Sequence, residues 1–208
     1  MRLVVTEEGG RPRGMLEIKL DPGWKTYWRE PGDGGIPPTL AGDGMTVDLQ
    51  FPAPERFSEN GQVFNGYHTA VSLPFVLPET LVSVDRLTAF IGVCSDICVP
   101  FQAEFPLVKD GSDAEIIDEA FAKLPRPVAL NEGIIAQSRS GENLVLSSTI
   151  LGGTLFLAPQ PGVYFGTPEA TATGYTVKVL KEKSPLLRVD YTLKTASGAV
   201  SGAFIMPQ

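Results

Sequence analysis

Cys94 and Cys98 stand four residues apart in the stretch FIGVCSDICVP (residues 90–100), and the chain has no other cysteine. Three chemistries suit such a pair: a local structural bridge, half of a metal site, or a dithiol that opens and closes. The apolar segments TAFIGV and VPFQAEF on either side read as strands, so the two sulfurs are expected to oppose each other at a tight hairpin end. Residues opposed across antiparallel strands hold their Cα atoms about 4.5–5.5 Å apart, within the span of a disulfide. As a staple the bond gains little. By chain entropy a loop this short is worth about 2 kcal/mol, against about 4.7 kcal/mol for a hundred-residue loop.

As a metal site the pair lacks company. Zinc takes four ligands, and the chain offers one histidine, His68, and no second cysteine pair. Met1, Met15, Met45 and Met206 are too scattered for a copper(I) cluster. As a redox couple, two thiols on a short loop change state with little rearrangement and exchange with partners through a mixed disulfide. The CxxxC spacing lacks the helix N-terminus that lowers thiol pKa in CxxC sites, and Asp96 inside the loop opposes a thiolate. That combination describes a partner-dependent exchanger rather than a general reductant.

Other residues with chemistry to offer lie upstream. Trp24, Tyr27 and Trp28 crowd one stretch, and at strand spacing Tyr27 faces away from both tryptophans. One side packs into the core, while the other is free to wall the cysteines. Lys25 and Arg29 would stabilise a thiolate if the fold brought them near, and a solvated strand edge is their plainer role. PGDGGIPP (31–38) looks like a phosphate loop but lacks the Lys-Ser/Thr and the strand–loop–helix context, so it reads as a rigid turn. His68 invites a triad with a cysteine and an acid, against the commoner use of a lone histidine at a strand edge. Glu55 and Glu59 are placed to raise a nearby thiol pKa by their charge.

The elements that must position these groups are mostly strands. Residues 15–20, 45–51, 70–77, 86–93 and 101–108 alternate or run apolar at strand length, with prolines confining them to short pieces. SDAEIIDEAFAKLP (112–125) reads as the one helix, with a Ser112–Glu115 capping box or Asp113 as cap, and Pro125 as its stop. PRPV (125–128) is a stiff connector. Beyond it, residues 143–150, 154–159, 174–181, 186–194 and 198–206 read as strands again, the uncharged run Asn143 to Pro168 supplying two of them and their turn. Strands at this spacing suggest a sandwich. The expected architecture is all-β: two tandem immunoglobulin-like β-sandwich domains, residues 1–125 and 128–208, with one short connecting helix. A single extended β domain is the alternative.

Composition narrows the function. Glycine (22) and proline (18) together approach a fifth of the 208 residues, which leaves little room for long helices. A formal net charge of −7 repels the nucleic-acid backbone and anionic lipid surfaces, and no apolar run is unbroken enough to span a bilayer as a helix. MRLVVTEEGG lacks the apolar core of a secretory signal, as would a chain read from after a cleavage site.

Four segments carry a resemblance: DPGWKTYWREPGDGGIPP (21–38), FPAPERF (51–57), NGYHTAVSLPFVL (65–77) and GVCSDICVP (92–100). In this order and spacing the chain resembles the periplasmic N-terminal domain of the disulfide reductase DsbD and its relative ScsB, suppressor of copper sensitivity. The ScsB-like or stand-alone form is the nearest pattern. The likeness spans about residues 10–125 and loosens over 128–208.

The resemblance implies an immunoglobulin-like fold in the periplasm and a protein-disulfide reductase component that needs no cofactor or metal. Cys94 and Cys98 would pass electrons from a transmembrane reductase domain, in the same or a separate chain, to thioredoxin-fold periplasmic oxidoreductases. Cys98 would form the mixed disulfide and Cys94 resolve it. A cap over the pair would fall at residues 57–67, with Phe64 as the shielding ring and Tyr67 and Tyr27 as further wall. The cysteine spacing is narrower than in DsbD itself, which leaves partner geometry open. Two rivals stand beside this reading: a non-catalytic β-sandwich scaffold with a structural disulfide, and a copper-handling domain.

Overall fold

The computed structural model describes residues 1–7, 11–108, 113–150, 152–158, 162–182 and 188–207. The chain divides into two compact units, Met1–Leu124 and Pro125–Gln208. The first opens with β1 (Arg2–Thr6), β2 (Arg13–Lys19), β3 (Lys25–Gly32), β4 (Thr39–Gly42) and β5 (Met45–Val47). It continues through β6 (Glu55–Glu59), β7 (Gln62–His68), β8 (Ala70–Val76), β9 (Arg86–Cys94), β10 (Cys98–Pro106) and the helix α1 (Ala114–Ala122).

Two sheets form from these strands. The smaller runs β1-β2-β8, and the larger runs β5-β4-β9-β3-β7-β6 with β10 also on β9. Since β10 pairs with β9 along its whole length, β4 and β3 share the opposite edge of β9. Period-two alternation explains the burial: Leu16 and Leu73 face each other in register, and with Ile18, Phe75, Leu40, Leu87, Ala89 and Ile91 they are almost wholly excluded from solvent. Trp28, 0 % exposed, is the largest of these buried side chains. Trp28→Ala should cost about 3–5 kcal/mol, read as a lowered urea midpoint with the slope unchanged.

Two expectations need correction here. Residues 45–51 do not make one strand. Only three belong to β5, because the chain then leaves β4 for the other sheet, where Leu49 bridges to Phe75 and the Gln50 amide donates to the Pro74 carbonyl at 2.8 Å. The helix is shorter than 112–125 and is more than a connector. Its Ile117 and Ala120 pack with Val4 and Met15, covering the outer face of the small sheet. Ser112 of the expected capping box lies outside the described residues. Asp113 stands at the N-cap but makes no capping hydrogen bond, since its carboxylate accepts from the Arg2 guanidinium at 2.6 Å instead.

The second unit contains β11 (Arg126–Pro127), β12 (Ile134–Ser140), β13 (Asn143–Ser148), β14 (Thr154–Leu157) and β15 (Val163–Phe165). It ends with β16 (Glu169–Ala170), β17 (Gly174–Glu182), β18 (Arg188–Thr195) and β19 (Gly198–Ile205). One sheet runs β11-β19-β18-β14, the other β12-β13-β17-β15 with β16 on β17. Leu144, Leu146, Leu155, Val177, Tyr191 and Phe204 share the core that fills this unit. β13 and β14 were expected as neighbours joined by a turn. They are consecutive strands of different sheets, so their connection crosses the sandwich. Mostly strand, with one α-helix among the described residues, the chain fits an all-β, immunoglobulin-like fold.

Candidate functional site

Cys94 ends β9 and Cys98 begins β10, in register across the hairpin, and their sulfurs are bonded. The expected opposition across the hairpin is present, with the Cα atoms at 4.0 Å, closer than the about 4.5–5.5 Å of ordinary opposed antiparallel residues. The two sulfurs differ in access. Cys94 is 6 % exposed, whereas Cys98 and the residues around it lie open. Cys98 is therefore the sulfur open to solvent, and Cys94 the one held inside the protein.

The wall around the bond comes from β3 and from the hairpin β6–β7. Tyr27, Phe64 and Cys94 form one apolar cluster with Phe57 against it. The Tyr27 hydroxyl lies 3.2 Å from the Cys98 Sγ. Phe64 tilts against Tyr27 with ring centres 6.2 Å apart and stacks on Phe57 at 5.9 Å. The segment expected as a cap loop over 57–67 is thus a paired hairpin, Phe57 opposite Phe64 in register. Its turn is Asn60-Gly61, both at positive φ (50° and 78°), the pattern that type I′ hairpins demand. That dipeptide was the legible signal for a hairpin in place of a loop.

PGDGG serves as anchor for this arrangement, consistent with a rigid turn. The Asp33 carboxylate accepts from the Val63 amide at 2.7 Å, and the Asp33 amide donates to the Val63 carbonyl at 2.9 Å. Gly35, at φ 122°, lies so close under the Tyr27 ring that a Cβ there would overlap it.

Burial, and secondarily the Glu59 charge, raise the Tyr27 pKa above the ordinary tyrosine value. The hydroxyl therefore stays protonated, able to donate to sulfur, throughout the neutral range. A raised folded pKa contributes stability that is fully present below the unfolded pKa of about 10 and lost as pH rises through the folded one. Any stability advantage of the wild type over Tyr27→Phe should accordingly be constant up to about pH 10 and shrink above it, as urea midpoints across that range will read.

An open pocket of about 480 Å³ lies over the disulfide, lined by Gly23, Glu59, Gln62, Phe64, Asp96 and both cysteines, among others. Not every expected residue reaches it. Tyr67 is buried on the opposite face of β7 from Phe64, and its hydroxyl donates to the Pro52 carbonyl at 2.7 Å. It supports the strand rather than lining the pocket. Arg29 lies with its guanidinium 4.7 Å over the Trp28 ring and does not line the pocket either. His68 packs on Phe57 at 4.9 Å, and in the strand register Lys25 separates it from Cys94, so no Cys–His pair forms. Glu59 does reach the pocket, whereas Glu55 begins β6 at the far end of the hairpin.

Lys25 departs most from its expected role at a solvated edge. Its side chain is 3 % exposed and ion-paired with Glu59, and its Nζ lies 5.3 Å from the Phe57 ring centre and 5.6 Å from that of Phe64. Strand parity held the clue: Lys25 shares a face with Tyr27, the ring that meets the cysteines. Among the described residues, no group of three or more His, Cys, Asp or Glu gathers as a metal ion would require. No described helix is long and apolar enough to cross a membrane.

Residues 3–110 match the family profile of the thiol:disulfide interchange protein DsbD, N-terminal domain. The chain belongs to the DsbD N-terminal domain family. Among solved structures, the N-terminal periplasmic domain of ScsB from Proteus mirabilis superposes with a TM-score of 0.79 at 24 % identity, covering 99 % of this chain and 92 % of that one. The two share a fold over nearly their whole length. The titin immunoglobulin tandem A164-A165, 12 % identical, reaches a TM-score of only 0.19 and carries no argument. Among curated proteins none matches the sequence. Membership of the DsbD N-terminal family supports a thiol–disulfide exchange module, and the chain has one cysteine pair, Cys94–Cys98.

Proposed function

We propose that this DsbD N-terminal family member works in the periplasm as a redox relay. It takes electrons through the Cys94–Cys98 disulfide from a membrane-embedded reductase domain and hands them to thioredoxin-fold partners. One observation carries the reading: the bond has one open and one buried sulfur, and it sits under an aromatic hairpin at the floor of an open pocket. A bridge serving only stability needs no such asymmetry and gains little from so short a loop.

In the reductive half, a partner dithiol attacks the Cys98 Sγ, forms a mixed disulfide and releases Cys94 as thiolate. The partner's second thiolate then attacks its own sulfur in that bond and releases Cys98, leaving this chain a dithiol and the partner oxidised. The reverse sequence delivers the two electrons onward. Phe64 and Tyr27 act as the cover and wall of the pair. The two compact units are tandem immunoglobulin-like domains in this reading, the family match lying wholly in the first.

A redox titration tests the proposal. A potential above about −300 mV, with reduction by a thioredoxin-fold dithiol, supports it. A potential well below that figure marks an inert structural bridge and defeats it.

A further inference from the structure

Lysine is rarely buried without a partner, and burying an ammonium costs several kcal/mol before pairing. Lys25 meets that cost with the Glu59 carboxylate and the faces of Phe57 and Phe64. Its position is as telling as its burial. On β3 it stands in register with Cys94 of β9 on one side and His68 of β7 on the other. Directly opposed residues carry their Cβ atoms only about 4.5–5.5 Å apart. The two ends of the ion pair belong to different parts of the site. Lys25 is fixed in the middle of the large sheet, whereas Glu59 is 45 % exposed beside the Asn60-Gly61 turn at the free end of the hairpin. Any opening at that turn would carry Glu59 away while Lys25 kept its place on β3.

We infer that Lys25 is a charge that changes partners. It holds Glu59 and the aromatic cover closed over the oxidised pair, and on opening it stabilises the thiolate released at Cys94. The inference rests on the exchange reading above and assigns one residue its regulation. In the step concerned, a dithiol attacks Cys98 Sγ, the S–S electron pair departs on Cys94, and the unmasked Lys25 ammonium offsets that charge without giving up its proton. The charged or titratable groups facing Cys94 are Lys25 and Tyr27 from β3, Glu59 and His68 from the hairpin, and Asp96 from the turn. Of these, Lys25 is the ammonium group fixed in the middle of the large sheet.

Two measurements test this. In a Cys98→Ala background, the Cys94 thiol is titrated by its thiolate absorbance. Lys25→Met should raise the midpoint by about one unit or more, Lys25→Arg should raise it less, and Glu59→Gln should lower it by freeing the lysine. A midpoint unmoved by Lys25→Met overturns the inference, even if that variant melts earlier. In the disulfide form, reduction by dithiothreitol should run about fivefold faster in Glu59→Gln, which loosens the cover and keeps the charge. Lys25→Met should show no such gain, because the leaving thiolate is then less stable. Equal acceleration in both variants would reduce Lys25 to a latch and overturn the proposal. Failure of the wild-type disulfide to exchange with any thioredoxin-fold dithiol is a separate result, which defeats the exchange reading and leaves the Cys94 titration standing.

Discussion

Cys94→Ala is expected to turn the chain into a trap. It keeps the exposed Cys98 thiol and loses the group that would release a partner from it, so an oxidised thioredoxin-fold protein should accumulate as a mixed disulfide, visible as a heavier band without reductant. Cys98→Ala should give almost none of this species, because the thiol it retains lies 6 % exposed beneath the aromatic cluster. Both variants should lose electron transfer altogether, since neither can form the internal bond. The expected loss of stability from removing so short a bridge is only about 2 kcal/mol, so both should remain folded under conditions where exchange is measured. Stronger trapping by Cys98→Ala would reverse the assignment of the two sulfurs. Trapping by neither would remove the exchange function.

Phe64→Ala is expected to expose the Cys94 end of the disulfide, the end that the hairpin shields. Phe64 is 8 % exposed and links the Tyr27 and Phe57 rings across the cover. Truncating a buried phenylalanine costs about 3–5 kcal/mol in a core. Even half of that, taken from the closed form alone, raises the open population about tenfold or more. Reduction by dithiothreitol should quicken by a similar factor, with little change in the equilibrium potential, because the cover acts on access and not on the bond. An unchanged rate would mean that the bond is already reached at Cys98 without any movement of the hairpin. Phe64→Leu, which keeps bulk without the ring, should fall between the two.

How much of this was legible beforehand varies from residue to residue. The strand character of β2, β8, β9 and β10 follows from local alternation and apolar runs, which need no knowledge of neighbours. The hairpin placing Cys94 against Cys98 follows as well, because only three residues separate two strand-forming segments. β3 was harder. Its aromatic and charged residues mask the period-two pattern, yet that pattern is what puts Lys25, Tyr27 and the cysteines on one face. The hairpin β6–β7 went unread as such although Asn60-Gly61 announces it, because its flanks are largely polar, with Phe57, Val63 and Phe64 their main apolar residues. Tyr67 was read as wall because the resemblance put the cap at residues 57–67. Three residues along a strand is an odd step, and it sends the ring to the opposite face.

By itself the sequence determined a β-rich chain, a single redox-capable pair in a tight hairpin, and a family that the matching segments identify. These rest on local propensity, cysteine count and motif order, none of which depends on long-range packing. The tertiary structure alone decided which sulfur faces solvent, that Tyr27 touches Cys98, and that Lys25 lies buried between a carboxylate and two rings. Those facts arise where β3, β9 and the hairpin, distant in the chain, meet in one sheet. Exposure and charge pairing are properties of that meeting, since the same lysine on an outer strand would simply be solvated.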